Sequence, residues 1–213
     1  MGKNQSVNIK KKRDPNKTIE VLFKISEAVN NTRDLDELYQ VIHTSLDEIL
    51  NVDNFYIALH HKERDSITFP YHVAEIDDNP DEILNFSETA SLTGEVIKAR
   101  KPLILFRQDI IRLTHQLKKK EIGTIPKIWL GAPLIIKDCV KGAIVIQSYE
   151  SATAYEKKDL DLLNSISQHI ALAIERKESD KKLTEQRKTF EKILESSPVG
   201  IALGQNRIFK WVN

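Results

Sequence analysis

Residues 128–151 read IWLGAPLIIKDCVKGAIVIQSYES, two apolar runs joined by a short charged turn. Each run is rich in Ile, Val, Leu and Ala with little polar alternation, the composition of a strand covered on both faces rather than of one with a wet side. Lys137, Asp138 and Cys139 supply the turn, and Gly142 puts a residue without a Cβ just inside the second strand. The pair is therefore expected to be a hairpin at the centre of a sheet that carries a layer of chain on each face. Those two layers have to come from the rest of the sequence.

With 213 residues, 40% hydrophobic and 30% charged, there is length for one core and some accessory chain. Thirty-two Lys and Arg nearly cancel 31 Asp and Glu, so the chain lacks the positive excess of a nucleic-acid binder. No window approaches the ~20 apolar residues of a membrane span. The N-terminus has no apolar stretch of the secretory kind, and a cytoplasmic location without a membrane span is expected. One cysteine, Cys139, excludes an internal disulfide and suits a reducing compartment. The opening MGKNQS satisfies a short lipidation pattern, with basic residues at 10–13 behind it; residues 1–18 are read more plainly as a basic, flexible tail.

From Ile19 the apolar residues recur at helical spacing until Asn30, Asn31 and Thr32 stop the run. Asp34 is placed to cap a second helix, whose stripe is Leu35, Leu38, Val41, Ile42, Leu46, Ile49 and Leu50, ending near Asn51. Two short strands, 54–61 and 66–74, follow as a hairpin, then an acidic loop over 75–82. Residues 91–105, SLTGEVIKARKPLIL, read as a short helix, a Lys-Pro stop and a strand, and 109–121 as a basic amphipathic stretch. After the central hairpin a helix is expected from Tyr155, and no Pro or Gly interrupts the chain before Pro198, so it can run to about Glu195. Its stretch 176–188 is nearly all charged and cannot lie on a globular core.

Three of these segments carry a resemblance. SLTGEVIKARKPLIL, WLGAPLIIKDCVKGAIVIQSY and KDLDLLNSISQHIALAIERK resemble, in that order, the helix and Pro-strand, the final hairpin and the closing helix of GAF domains. The likeness covers residues 19–177. FEKILESSPVGIALGQNRIFKWVN, residues 190–213, resembles the opening of a PAS domain, with 178–189 a charged helical linker between the two. The resemblance implies an α+β fold: an antiparallel sheet of about five to six strands, the first, second and last helices on one face, and a small-molecule pocket under short helices and loops on the other. It also implies a sensor in a multi-domain bacterial or archaeal signalling protein, in which a histidine kinase or diguanylate cyclase output lies downstream. Such a module has no enzyme activity of its own.

The residues that carry chemistry are few. The seven glycines never form G-x-G-x-x-G or a P-loop, and there is no H-E-x-x-H or C-x-x-C. His60 and His61, adjacent on a strand, point to opposite faces and cannot ligate together. His115 is a lone histidine on the basic stretch. Cys139 is read as inert, since a sulfoxide-reducing GAF domain needs several cysteines for its disulfide cycle. Where cyclic-nucleotide-binding relatives carry an Asn-Lys pair, a Phe and an Asp-Glu pair, this chain has Gln147-Ser148, Tyr155 and Asp159-Leu160, which retains the aromatic and one acid. The cofactor is unknown and no metal is expected.

The pocket itself can be sketched from the alternation of the hairpin. Ile128, Leu130, Ala132, Leu134 and Ile136 form one aliphatic face of the strand, suited to a helix layer. Trp129, Gly131 and Pro133 form the other, an aromatic wall beside a residue without a side chain. Tyr71, Phe86, Thr93 and Phe106 are expected to complete its walls and polar contacts. The expected function is a non-catalytic module that binds an unidentified small molecule and relays the event through its last helix, as a homodimer through the first and last helices. The rival is a dimerisation or structural relay domain that holds no ligand.

Overall fold

The computed structural model describes residues 14–74, 76, 82–89, 91–116 and 124–196, with the backbone of 202–205 and 208–212. The chain divides after Ile174 into two units. The first opens with α1 (Pro15–Asn31), four residues ahead of the expected boundary at Ile19. Asp14 accounts for the earlier start: its side chain accepts from the Asn16 N–H at 2.9 Å, and Pro15 sits where a missing N–H costs nothing. The rest of the expected tail lies outside the described residues. α2 (Leu35–Asp47) begins as the sequence predicts, with the Asp34 carboxylate accepting from the Glu37 N–H at 3.0 Å.

Five strands form one sheet: β1 (Phe55–His61), β2 (Ser66–Val73), β3 (Leu103–Phe106), β4 (Ile128–Ile136) and β5 (Cys139–Ser148), ordered β2-β1-β5-β4-β3. All neighbours are antiparallel. The β4–β5 hairpin therefore fills the centre, as its composition requires. Gly142 is fixed by the crossing of β5 and β1. A Cβ there would run into the Ala58 carbonyl and stand 3.0 Å from Leu59 Cα, and a backbone neighbour cannot step aside.

Three helices cover one face: α1, α2 and the first half of α5 (Lys157–Glu195). Val21, Ile25, Leu38, Ile42, Leu163 and Ile170 pack there against the strip Ile128, Leu130, Ala132 and Leu134, with Ile136 at its margin. The other face carries α3 (Leu92–Ala99) and α4 (Arg107–Gln116). Ser91 caps α3 by accepting from the Gly94 N–H at 2.8 Å, and the Lys-Pro step separates α3 from β3 as expected. The end of the basic stretch, from 117, and most of the acidic loop lie outside the described residues.

The second unit begins at Glu175. It contains the charged half of α5, on which Leu183, Phe190 and Ile193 are exposed, and an antiparallel pair, β6 (Ala202–Gln205) with β7 (Ile208–Val212). α5 runs unbroken through the expected linker to Glu195, and the Ser-Pro-Val-Gly step after it lies outside the described residues. No helix among the described residues is long and apolar enough to cross a membrane.

Candidate functional site

On the sheet face under α3 and α4, a hydrogen-bonded chain crosses the core. Trp129 Nε1–H donates to the Tyr56 hydroxyl at 3.3 Å, and that hydroxyl stands 3.0 Å from Thr93 Oγ1. Burial of the Tyr56 hydroxyl raises its pKa, against the opposing pull of its hydrogen bonds with Thr93 and Trp129, so it stays a neutral phenol. The space beside Gly131 is not open. A Cβ on Gly131 would meet the Trp129 ring, with Cζ3 at 2.7 Å, and Val96 Cγ2 at 2.9 Å. The missing side chain makes room for the indole itself, which packs with Ala58, Val96, Ala143 and Val145.

The residues expected to line one pocket are separated by the fold. Trp129, Gly131 and Thr93 come together at the centre, and Phe86 joins their cluster from the loop before α3. Pro133 is buried on β4, where its carbonyl accepts a hydrogen bond from Ser167 on α5. Phe106 is 45% exposed at the end of the edge strand β3 and walls nothing off. Tyr71 belongs to the other face. Its hydroxyl meets His43 Nδ1 at 3.1 Å and its ring lies 5.9 Å from that of Phe55, among the helix-facing residues. Strict alternation from Ile67 and Phe69 would have kept Tyr71 with Trp129, but β2 carries one extra residue between the Thr68–Leu59 and Tyr71–Ile57 pairs. That bulge, next to Pro70, inverts the faces.

The open space lies at one end of this face, a cleft of about 590 Å³ between the C-terminal end of α3 and the turns that join β1 to β2 and β4 to β5. Phe86 and Ile97 form its apolar floor together with Val140. Phe86 is held there by Asp65, whose backbone carbonyl accepts the Phe86 N–H at 2.8 Å and whose carboxylate accepts from the Ser87 N–H and hydroxyl. The His60 ring meets Phe86 edge-on with centroids 4.9 Å apart, and the Lys98 ammonium stands 5.1 Å from the ring centre. The rim is basic: Lys62 and Arg64 from the turn after β1, Lys98 and Arg100 from α3, and Lys141 from β5, against Glu63 and Asp138.

Of the pocket residues expected from the sequence, Phe86 alone borders this cleft. Arg100 and Lys141 were legible only as charged residues near Pro102 and Gly142, and 62–65 only as a polar hairpin turn, with nothing to say that the three places meet. Cys139 is exposed on the same rim, while His60 and His61 both border it from the end of β1. Among the described residues no cluster of three or more His, Cys, Asp or Glu side chains is placed to hold a metal. His115 is exposed on α4.

A family model described as GAF domain matches residues 32–175, from the end of α1 to the middle of α5. The chain belongs to the GAF domain family. Solved GAF structures share its fold. That of a phosphoenolpyruvate-protein phosphotransferase from Coxiella burnetii is 15% identical with a TM-score of 0.59, covering 80% of this chain and 99% of its own. The phycoerythrobilin-bound GAF domain of a cyanobacterial phytochrome is 14% identical with a TM-score of 0.58, covering 77% and 97%. A free methionine-R-sulfoxide reductase from Neisseria meningitidis, in complex with its substrate, is 12% identical with a TM-score of 0.59, covering 79% and 96%. No curated protein matches the chain. GAF domains are in general sensory or signalling modules without catalytic activity, although this last relative in fold is an enzyme.

Proposed function

We propose that this GAF domain is a non-catalytic cytoplasmic sensor that takes up a small molecule in the cleft beside Phe86. Its occupancy is relayed through α5 to a PAS domain, of which β6 and β7 are the opening strands, and to a signalling output such as a histidine kinase or diguanylate cyclase. The observation that carries this reading is the course of α5. Leu160, Leu163, Ile166, Ile170 and Ile174 bury one stripe of the helix against the sheet, and the same helix continues without a break to Glu195. A helix packed on a sheet whose opposite face borders the cleft is a physical route for a population shift.

The test is a thermal-shift screen of the chain with a metabolite panel, followed by hydrogen exchange on any hit. A compound that raises Tm and changes protection along residues 157–195 supports the relay; a panel with no stabilising compound, or a hit that leaves α5 unchanged, removes it. A second reading, a dimerisation domain, is favoured by the exposed Leu183, Phe190 and Ile193, spaced seven and three residues apart as in a coiled-coil seam. Sedimentation analysis decides that one: a monomer at high micromolar concentration excludes it.

A further inference from the structure

Resting on the cleft being the ligand site, we infer that it takes a small organic anion, a phosphate or carboxylate group attached to a flat apolar body, with Arg100 and Lys141 as the principal anion contacts. Five Lys and Arg side chains border the cleft against two carboxylates, with Glu82 beside it pairing Arg64 at 4.0 Å, whereas the whole chain carries a formal charge of only +1. The charge is thus concentrated in a concave place with an apolar floor, where field and shape act together.

Two of these cations stand at backbone irregularities. Arg100 is the C-cap of α3 with φ 56, in the left-handed region, a position that glycine fills at least cost. Lys141 is the extra residue of a bulge between the Leu134–Gly142 and Ile135–Val140 pairs, a device that re-aims a side chain. At both sites the chain departs from regular geometry and delivers a cation to the same rim.

The Arg100 guanidinium is also pre-positioned. Its Nη2–H donates to the Asp138 carbonyl at 2.9 Å, which fixes the plane of the group while leaving its other N–H groups to face an oxyanion in a forked arrangement. Below, Phe86 and Ile97 line the cleft with the half-buried Val140, so that the body attached to the anion meets aromatic and aliphatic side chains. A bare inorganic anion would leave that floor uncovered, and a neutral aromatic would leave the cations unused.

The test uses the whole chain and four probes followed by NMR titration: phenyl phosphate, benzoate, inorganic phosphate and phenol. The expected result is saturable shifts at the cleft with phenyl phosphate or benzoate, at least about tenfold tighter than with phenol or inorganic phosphate and weakening as salt is raised. Whichever of the two organic anions binds better identifies the group. Arg100→Gly is the deciding variant, because glycine suits the left-handed cap: Tm should hold or rise while organic-anion affinity falls roughly tenfold. Lys141→Gln should weaken binding in the same direction, and Arg112→Gln, on α4, should not. Equal binding of phenol and phenyl phosphate, or affinity untouched in both cleft variants, overturns the anion assignment while leaving the cleft a ligand site. Binding of none of the four overturns the assignment as well, and the metabolite screen then decides the sensor reading by itself.

Discussion

Ser167 on α5 donates its hydroxyl to the carbonyl oxygen of Pro133 on β4 at 3.0 Å, with both residues buried. The same hydroxyl stands 2.8 Å from the Asn164 carbonyl, so one proton serves the helix and the sheet in turn. β3 pairs with β4 only from Ile128 to Gly131, which leaves Pro133 on a stretch with no strand on that side. A proline is tolerated there because no ladder donor is required of it. Ser167→Ala should leave the Pro133 carbonyl without this partner and cost about 1–2 kcal/mol, read from the urea midpoint. An unchanged midpoint would show that α5 is held to β4 by apolar contact alone.

Gly131 is predicted to be irreplaceable by alanine without cost. The new Cβ would press on the Trp129 ring and on Val96, both buried and neither at a flexible chain end. Overpacking of this kind costs about 1–3 kcal/mol. In a Trp211→Phe background, where Trp129 is the remaining indole, Gly131→Ala should also shift the emission as the ring leaves its contact with Tyr56. Full stability with unaltered emission would mean that the interior has more room than the packing indicates.

What could be read from the residues follows from which forces are local. Helix starts depend on one side chain and the next turn, so Asp34 announced α2 correctly, and the short helix read at the head of 91–105 is α3, whose cap Ser91 the structure supplies. The doubly covered β4–β5 hairpin was legible because burial on two faces erases polar alternation, and its aliphatic strip did prove to be the helix-facing one. Tyr71 was misplaced because a single bulge inverts every later side chain, and a bulge leaves no reliable mark beyond Pro70. The cleft was missed because its walls come from three turns distant in sequence. No window of the sequence contains them together.

His61 makes stability depend on pH. Burial, with a further contribution from the Arg64 charge, lowers its pKa below the usual value, and its Nε2 stands 2.8 Å from Thr68 Oγ1. Glu82 acts in the opposite sense and His60 in the same sense as Arg64. The folded state therefore prefers the neutral ring. The unfolded chain takes up the proton first as pH falls below about 6.5, and stability declines until the folded form is protonated too. Denaturation midpoints measured between about pH 7.5 and 5 should fall less steeply in His61→Gln than in the parent. Parallel slopes would assign the acid sensitivity to other groups.

Tyr155 fastens the entry to α5, and its removal should loosen that end of the helix first. Its hydroxyl donates to the Asn51 carbonyl at 3.0 Å and lies 3.2 Å from the Gln147 carbonyl, joining the loop after α2 and the end of β5 to the segment just ahead of α5. Burial, reinforced by the charges of Asp53 and Asp159, pushes its pKa far upward, so the phenol keeps its proton and remains a donor throughout the neutral range. Tyr155→Phe preserves the ring, which is 4% exposed, and removes only the donor. The loss should be about 1–2 kcal/mol, with hydrogen exchange rising at the first turns of α5 before it rises at Ile170 or Ile174. If exchange rises uniformly along the buried half, that half leaves the sheet as one body and Tyr155 is not its first point of release.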